Sequence, residues 1–152
     1  MDFSEKDASN HIYINTGKYQ GYFPYFLHSC RYNPTVDFLL FTDNSDPNLA
    51  ILPNVRIILL SLEQFKAGAT RALGFEVAIE TGYKLCDFKP TYGAIFSDFI
   101  KDKEYDFWSY CDIDVIFGNI RPFMTDELLH AYDNSCRDVT CYVFTRCGSR
   151  FK

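Results

Sequence analysis

Apolar residues along the chain fall into two patterns: continuous runs of strand length, and stripes at helical spacing. HIYIN (residues 11–15) reads as a short strand. In GYFPYFLHSC, Phe23, Phe26, Leu27 and Cys30 stand at i, i+3, i+4 and i+7, the buried stripe of a helix. VDFLLFTDN is an apolar run closed by turn residues, and VRIILL, rich in β-branched residues, predicts another strand after the loop SDPNLAILPN. Ser61 and Gln64 have capping-box spacing, and the helix they open sets Leu62, Phe65 and Ala69 on one face before Gly74 ends it. Tyr92, Ile95, Phe96, Phe99 and Ile100 predict one further helix, with Pro90 in its first turn and Asp87 as its cap. KDKE is a solvated turn. YDFWSYCDIDVIFGNI then gives an aromatic strand that runs into Asp112 and Asp114, and Thr125, Asp126 and Glu127 begin a last helix through Tyr132.

Strands alternating with helices, and strands apolar without a break, imply an α/β fold with a mostly parallel central sheet and helices on both faces. In such open sheets ligands bind at the carboxyl ends of the strands. Three polar clusters fall at those ends: Thr16, Gly17 and Lys18; Thr42, Asp43 and Asn44; and Asp112 with Asp114.

The length of 152 residues suits a single domain over 1–152, with the polar stretch 1–10 expected to be flexible. No apolar run approaches the roughly 20 residues of a membrane span. The opening MDFSEKDASN has no secretory pattern, so a cytoplasmic location is expected. Six cysteines without a CxxC pair read as free thiols of a reducing compartment. A net charge of −5 argues against nucleic acid as a partner.

In extended backbone, residues i and i+2 face one side, so Asp112 and Asp114 would present both carboxylates to one space. At about 4 Å and an effective dielectric near 20, two such charges repel by roughly 4 kcal/mol, so a cation should offset them. Hard oxygen donors with open positions suit Mg²⁺ or Mn²⁺, which in turn bind the diphosphate of a nucleotide. A turn gives the same spacing, so the DxD pair is by itself a weak signal.

GKYQGYFPYFLHSCRYNPTVDFLLFTDN, YKLCDFKPTYGAIF and YDFWSYCDIDVIFGNIRPFMTDELL, in that order, resemble bacterial glycosyltransferase-like proteins of polysaccharide biosynthesis. That family is related to nucleotide-sugar glycosyltransferases of the GT-A fold. The resemblance spans roughly residues 12–132. It implies that residues 11–132 form the nucleotide-sugar-binding half. Asp112 and Asp114 would be its DxD motif, Asp114 as a metal ligand and Asp112 on the metal or the ribose. Asp43 would approach the base or ribose, Asp87 and Lys89 would reach the nucleotide sugar, and Lys84 would meet phosphate. The implied cofactor is Mn²⁺ or Mg²⁺, and the implied partners are a nucleotide-diphosphate sugar donor and a saccharide acceptor.

Plainer roles stand beside these. Asp43 with Asn44 also suits a turn, Asp87 a helix cap, and Lys84 and Lys89 solvated cations. Gly17 and Lys18 lack P-loop spacing, and Trp108 reads as core. His11, His28 and His130 have no ligand spacing. The segment 133–152 departs from the family pattern, which predicts a C-terminal side cut short and leaves a catalytically inactive, sugar-nucleotide-binding remnant as the alternative. A haloacid-dehalogenase-type phosphatase, whose first acid attacks phosphorus, is the other rival. Only 38 residues follow Asp114, too few for that class's downstream lysine and acids.

Overall fold

A computed structural model describes residues 9–46, 52–101, 105–112, 114–125, 127, 131, 134–136 and 143–147. Strands β1 (Ser9–Asn15), β2 (Val36–Thr42), β3 (Val55–Leu59), β4 (Phe107–Tyr110), β5 (Asn134–Cys136) and β6 (Val143–Arg146) form one sheet in the order β3-β2-β1-β4-β6-β5. The first four are mutually parallel, while β6 runs antiparallel to both β4 and β5. The chain is therefore α/β with a mostly parallel sheet, as the alternation of patterns predicts.

Period-2 alternation divides the sheet's side chains between two cores. Tyr13, Phe38, Leu40 and Phe107 face one, with Phe26, Leu27 and Cys30 of helix α1 (Phe23–Arg31) and with Phe117, Ile120 and Met124 from the chain after β4. Ile12, Leu39, Phe41 and Trp108 face the other, with Phe65 and Ala69 of helix α2 (Leu62–Leu73) and with Tyr92, Phe96 and Ile100. The helical stripes read from sequence are thus the buried faces. Helix α2 has its reciprocal capping box at Ser61 and Gln64, and Gly74 ends it in the left-handed region with φ 78°.

The single helix expected around Tyr92 is instead three pieces: a 3-10 helix Gly82–Thr91, then α3 (Tyr92–Ile95) and α4 (Ser97–Lys101). Pro90 lacks an N–H and its ring opposes the carbonyl four residues back, which keeps the preceding turn from closing as α-helix. Asp87 therefore caps nothing; it lies inside the 3-10 helix and pairs with Lys84. The aromatic strand is also shorter than its apolar run, and ladder pairing stops at Tyr110, before the two acids.

Strands β5 and β6, from the segment read as divergent, extend the sheet beyond β4. The helix expected from Thr125 to Tyr132 lies largely outside the described residues, as do the side chains of His11 and His130. Trp108 is core, and Cys30, Cys86, Cys111 and Cys147, the cysteines whose side chains are described, are free thiols.

Candidate functional site at the carboxyl edge of the sheet

From β1 the chain passes outward to β2 and β3, then crosses back to β4 on the other side of β1. The strand order thus reverses between β1 and β4, the position at which open α/β sheets leave a crevice beyond their carboxyl ends. The edge there is stepped. Pairing of β1 with β2 continues to Asn15–Thr42, whereas pairing of β1 with β4 ends at Ile12–Tyr110. At about 3.3 Å per residue, β1 and β2 overreach β4 by roughly 10 Å. Asp112 and Asp114 occupy the chain that leaves β4 at this step.

The 3-10 helix closes over the same edge because a glycine lets it. A Cβ on Gly82 would stand 2.1 Å from the Oγ1 of Thr16, the residue that follows β1. Only hydrogen at position 82 allows that approach. Tyr92 fixes the far end: its hydroxyl donates to the Leu85 carbonyl at 3.0 Å, and its N–H donates to the carbonyl of Lys89.

Contacts divide the six predicted residues into groups. The Lys89 ammonium donates to Asp112 Oδ1, with the lysine side chain 15% and the aspartate side chain 40% exposed. An ammonium thus stands at one of the two acids, supplied from a residue 23 positions earlier in sequence. Lys84 donates to Asp87 Oδ2 at 3.2 Å, a pair more than half exposed on both sides. Asp43, on the β2 end, accepts the Gly17 N–H at 2.6 Å and so ties the loop after β1 to the loop after β2. Asn44 reinforces it by donating to the Gly17 carbonyl at 3.3 Å. Gly17 itself has φ 83°, which glycine adopts without strain. Asp114 is exposed beyond Asp112, and Ile113 between them lies outside the described residues. Because β2 and β4 flank β1, Asp43 and Asp112 leave strands two spacings apart, roughly 10 Å.

The surroundings of Asp112 are aromatic. Burial pushes the Tyr92 phenol well above its usual pKa, with Cys86, Asp112 and Tyr110 adding in the same direction, and its ring meets Tyr110 edge-on at 6.2 Å. The sequence reading missed Tyr19. Burial raises its pKa, Thr42 partly offsets this, and Asp46 and Asp43 add to the rise. Tyr19 also lines a groove of about 440 Å³ with Pro24, Leu27, His28 and Arg31, a groove that holds none of the six predicted residues. No spacing rule singles out Tyr19, because its neighbours Thr42 and Asp46 come from the next strand end.

Fold and edge define an α/β domain of Rossmann-like form with a charged cluster at its strand-order reversal. The chain belongs to DUF6625, described as a family of unknown function, whose pattern matches residues 11–144. No curated protein matches the chain.

Proposed function

We propose that this protein binds a nucleotide-diphosphate sugar at the stepped edge and transfers the sugar to a saccharide acceptor, as a glycosyltransferase of GT-A type in polysaccharide biosynthesis. The observation that carries this reading is the position of Asp112 and Asp114 directly after β4, beside the reversal point of the strand order.

The donor set fits a divalent ion shared with a ligand. Among the described residues no group of three or more His, Cys, Asp or Glu side chains could hold a metal, so the offer among them at this edge is the two carboxylates. Mg²⁺ is commonly bound in that way, by one or two carboxylates with phosphate oxygens and water completing the shell. Asp112 and Asp114 would hold it, and when bound it would offset charge on the departing diphosphate. Lys89 and Lys84 add positive groups on the same 3-10 helix, and charge that they meet only as the bond to the sugar breaks lowers the barrier about tenfold per 1.4 kcal/mol. Asp43, exposed and anchored by Gly17, stands two strands away as the contact for ribose or base.

A second reading is a sugar-nucleotide-binding domain without turnover. The Lys89–Asp112 contact favours it, because a carboxylate already neutralised by an ammonium gains less from a divalent ion. No helix among the described residues is long and apolar enough to cross a membrane.

The test is calorimetric titration of the folded chain with UDP, GDP and CDP, with and without Mn²⁺, alongside Asp114→Asn. Mn²⁺-dependent binding of one nucleotide that Asp114→Asn loses supports a donor site, and transfer or hydrolysis of the matching sugar nucleotide then separates the two readings. Binding of no nucleotide by the folded protein removes both.

A further inference from the structure

The contact between Lys89 and Asp112 has a consequence for how metal and nucleotide would bind together. We infer that Lys89 is the resident counter-cation of Asp112, that a divalent ion displaces its ammonium, and that the displaced ammonium becomes a diphosphate ligand. The inference rests on the proposed metal and nucleotide site.

Both ends of the exchange have a physical basis. The backbone of Lys89 is fixed: Pro90 follows it, and its carbonyl accepts the Tyr92 N–H. Its ammonium rides on a flexible four-carbon stem, so the charge can move several ångströms while the main chain stays in place. At rest the ammonium lies on Asp112 Oδ1, with 15% of the lysine side chain and 40% of the aspartate side chain exposed, so this oxygen has a cationic partner before any ion arrives. A divalent ion at the same carboxylate repels an ammonium at contact distance, a separation well inside the screening length of about 10 Å at about 0.1 M salt. The nearest new anion is then the diphosphate that shares the ion.

Two opposite effects on affinity follow. Without nucleotide, Lys89 competes with the metal and weakens its binding. With nucleotide, Lys89 has somewhere to go, so metal and diphosphate each strengthen the other by the same factor. The protein would hold its metal loosely until a donor arrives.

Calorimetry with Mn²⁺ alone, and with Mn²⁺ at saturating UDP or whichever nucleotide binds, compares wild type with Lys89→Gln. Lys89→Gln is expected to bind Mn²⁺ roughly tenfold more tightly without nucleotide, the scale of a lost hydrogen bond between charged groups. It is also expected to lose most of the mutual enhancement. Unchanged or weaker Mn²⁺ binding by a cooperatively melting Lys89→Gln overturns the inference and leaves the metal site standing. If neither protein binds Mn²⁺, the site and the inference fall together.

A measurement on wild type alone serves if Lys89→Gln does not fold. The chain is pulsed with an amine-acetylating reagent and mapped by mass spectrometry, with the exposed Lys84 as internal reference. Lys89 should react several-fold faster with Mn²⁺ present and be protected again when nucleotide is added. A Lys89 reactivity that bound Mn²⁺ does not change contradicts the exchange.

Discussion

Gly93 presses its bare Cα against the Trp108 indole, where a Cβ would stand 2.4 Å from Cζ2 and 2.5 Å from Cε2. The ring is 4% exposed and belongs to β4, the strand that delivers the two acids, so it has little room to yield. Gly93→Ala should therefore cost about 1–3 kcal/mol through overpacking, despite alanine's better helix propensity. Urea unfolding checks this, and an unchanged midpoint would mean that the indole moves aside.

Asn33 joins the end of α1 to the chain beyond the acids. Its side chain donates to the Ser29 and Gly118 carbonyls at 3.2 and 2.9 Å and accepts the Ile120 N–H at 2.8 Å. The residue is 2% exposed, and removing its amide strips the buried Ile120 N–H of its partner, whereas the Ser29 carbonyl keeps the Tyr32 N–H and Gly118 is exposed. Asn33→Ala is expected to lower stability by about 1–3 kcal/mol through that one unsatisfied donor. Hydrogen exchange should show faster opening at Ile120, whereas uniform exchange across the chain would argue against a local clamp.

Lys84 offers a separation of stability from binding. Its pair with Asp87 is more than half exposed, so Lys84→Ala should change unfolding free energy by less than about 0.5 kcal/mol. Under the proposed function the same variant weakens nucleotide binding severalfold. Equal nucleotide affinity in Lys84→Ala and wild type would reduce Lys84 to a solvated cation.

Stability above neutral pH should fall as pH rises. Burial, with Asp106 adding, pushes the Cys147 thiol from 9.0 to about 11, and burial raises Cys30 and Tyr92 likewise. The folded chain then keeps protons that the unfolded chain releases. The stabilisation is complete below about pH 9 and is lost as pH climbs toward about 11. Urea midpoints at about pH 8 and about pH 10.5 report the fall, and Cys147→Ser should make it shallower. A wild-type midpoint that rises over this interval would contradict the sign.

What could be read from sequence was local or periodic. Ser61, Gln64 and Gly74 carry their helix ends in their own chemistry, and Phe23, Phe26, Leu27 and Cys30 announce a buried stripe without knowledge of what covers it. The break at Pro90 leaves no mark in the apolar pattern, because the apolar spacing continues across it while the backbone hydrogen bonding does not. Strands β5 and β6, three and four residues long, are too short to show periodicity. At the site, the two acids stand out by spacing, but the partner of Asp112 and the close approach of Gly82 to Thr16 join residues distant in sequence. No local rule encodes such contacts.

The stepped sheet edge also bears on ionic strength. At this edge, where β1 and β2 overreach β4 by roughly 10 Å, the Lys89–Asp112 pair is partly buried, while Lys84–Asp87 is more than half exposed on both sides. Raising salt from about 0.1 M to about 1 M shortens the screening length from about 10 Å to about 3 Å, which weakens charges that solvent surrounds and spares those it reaches poorly. Raised salt should therefore weaken the Lys84–Asp87 pair more than the Lys89–Asp112 pair.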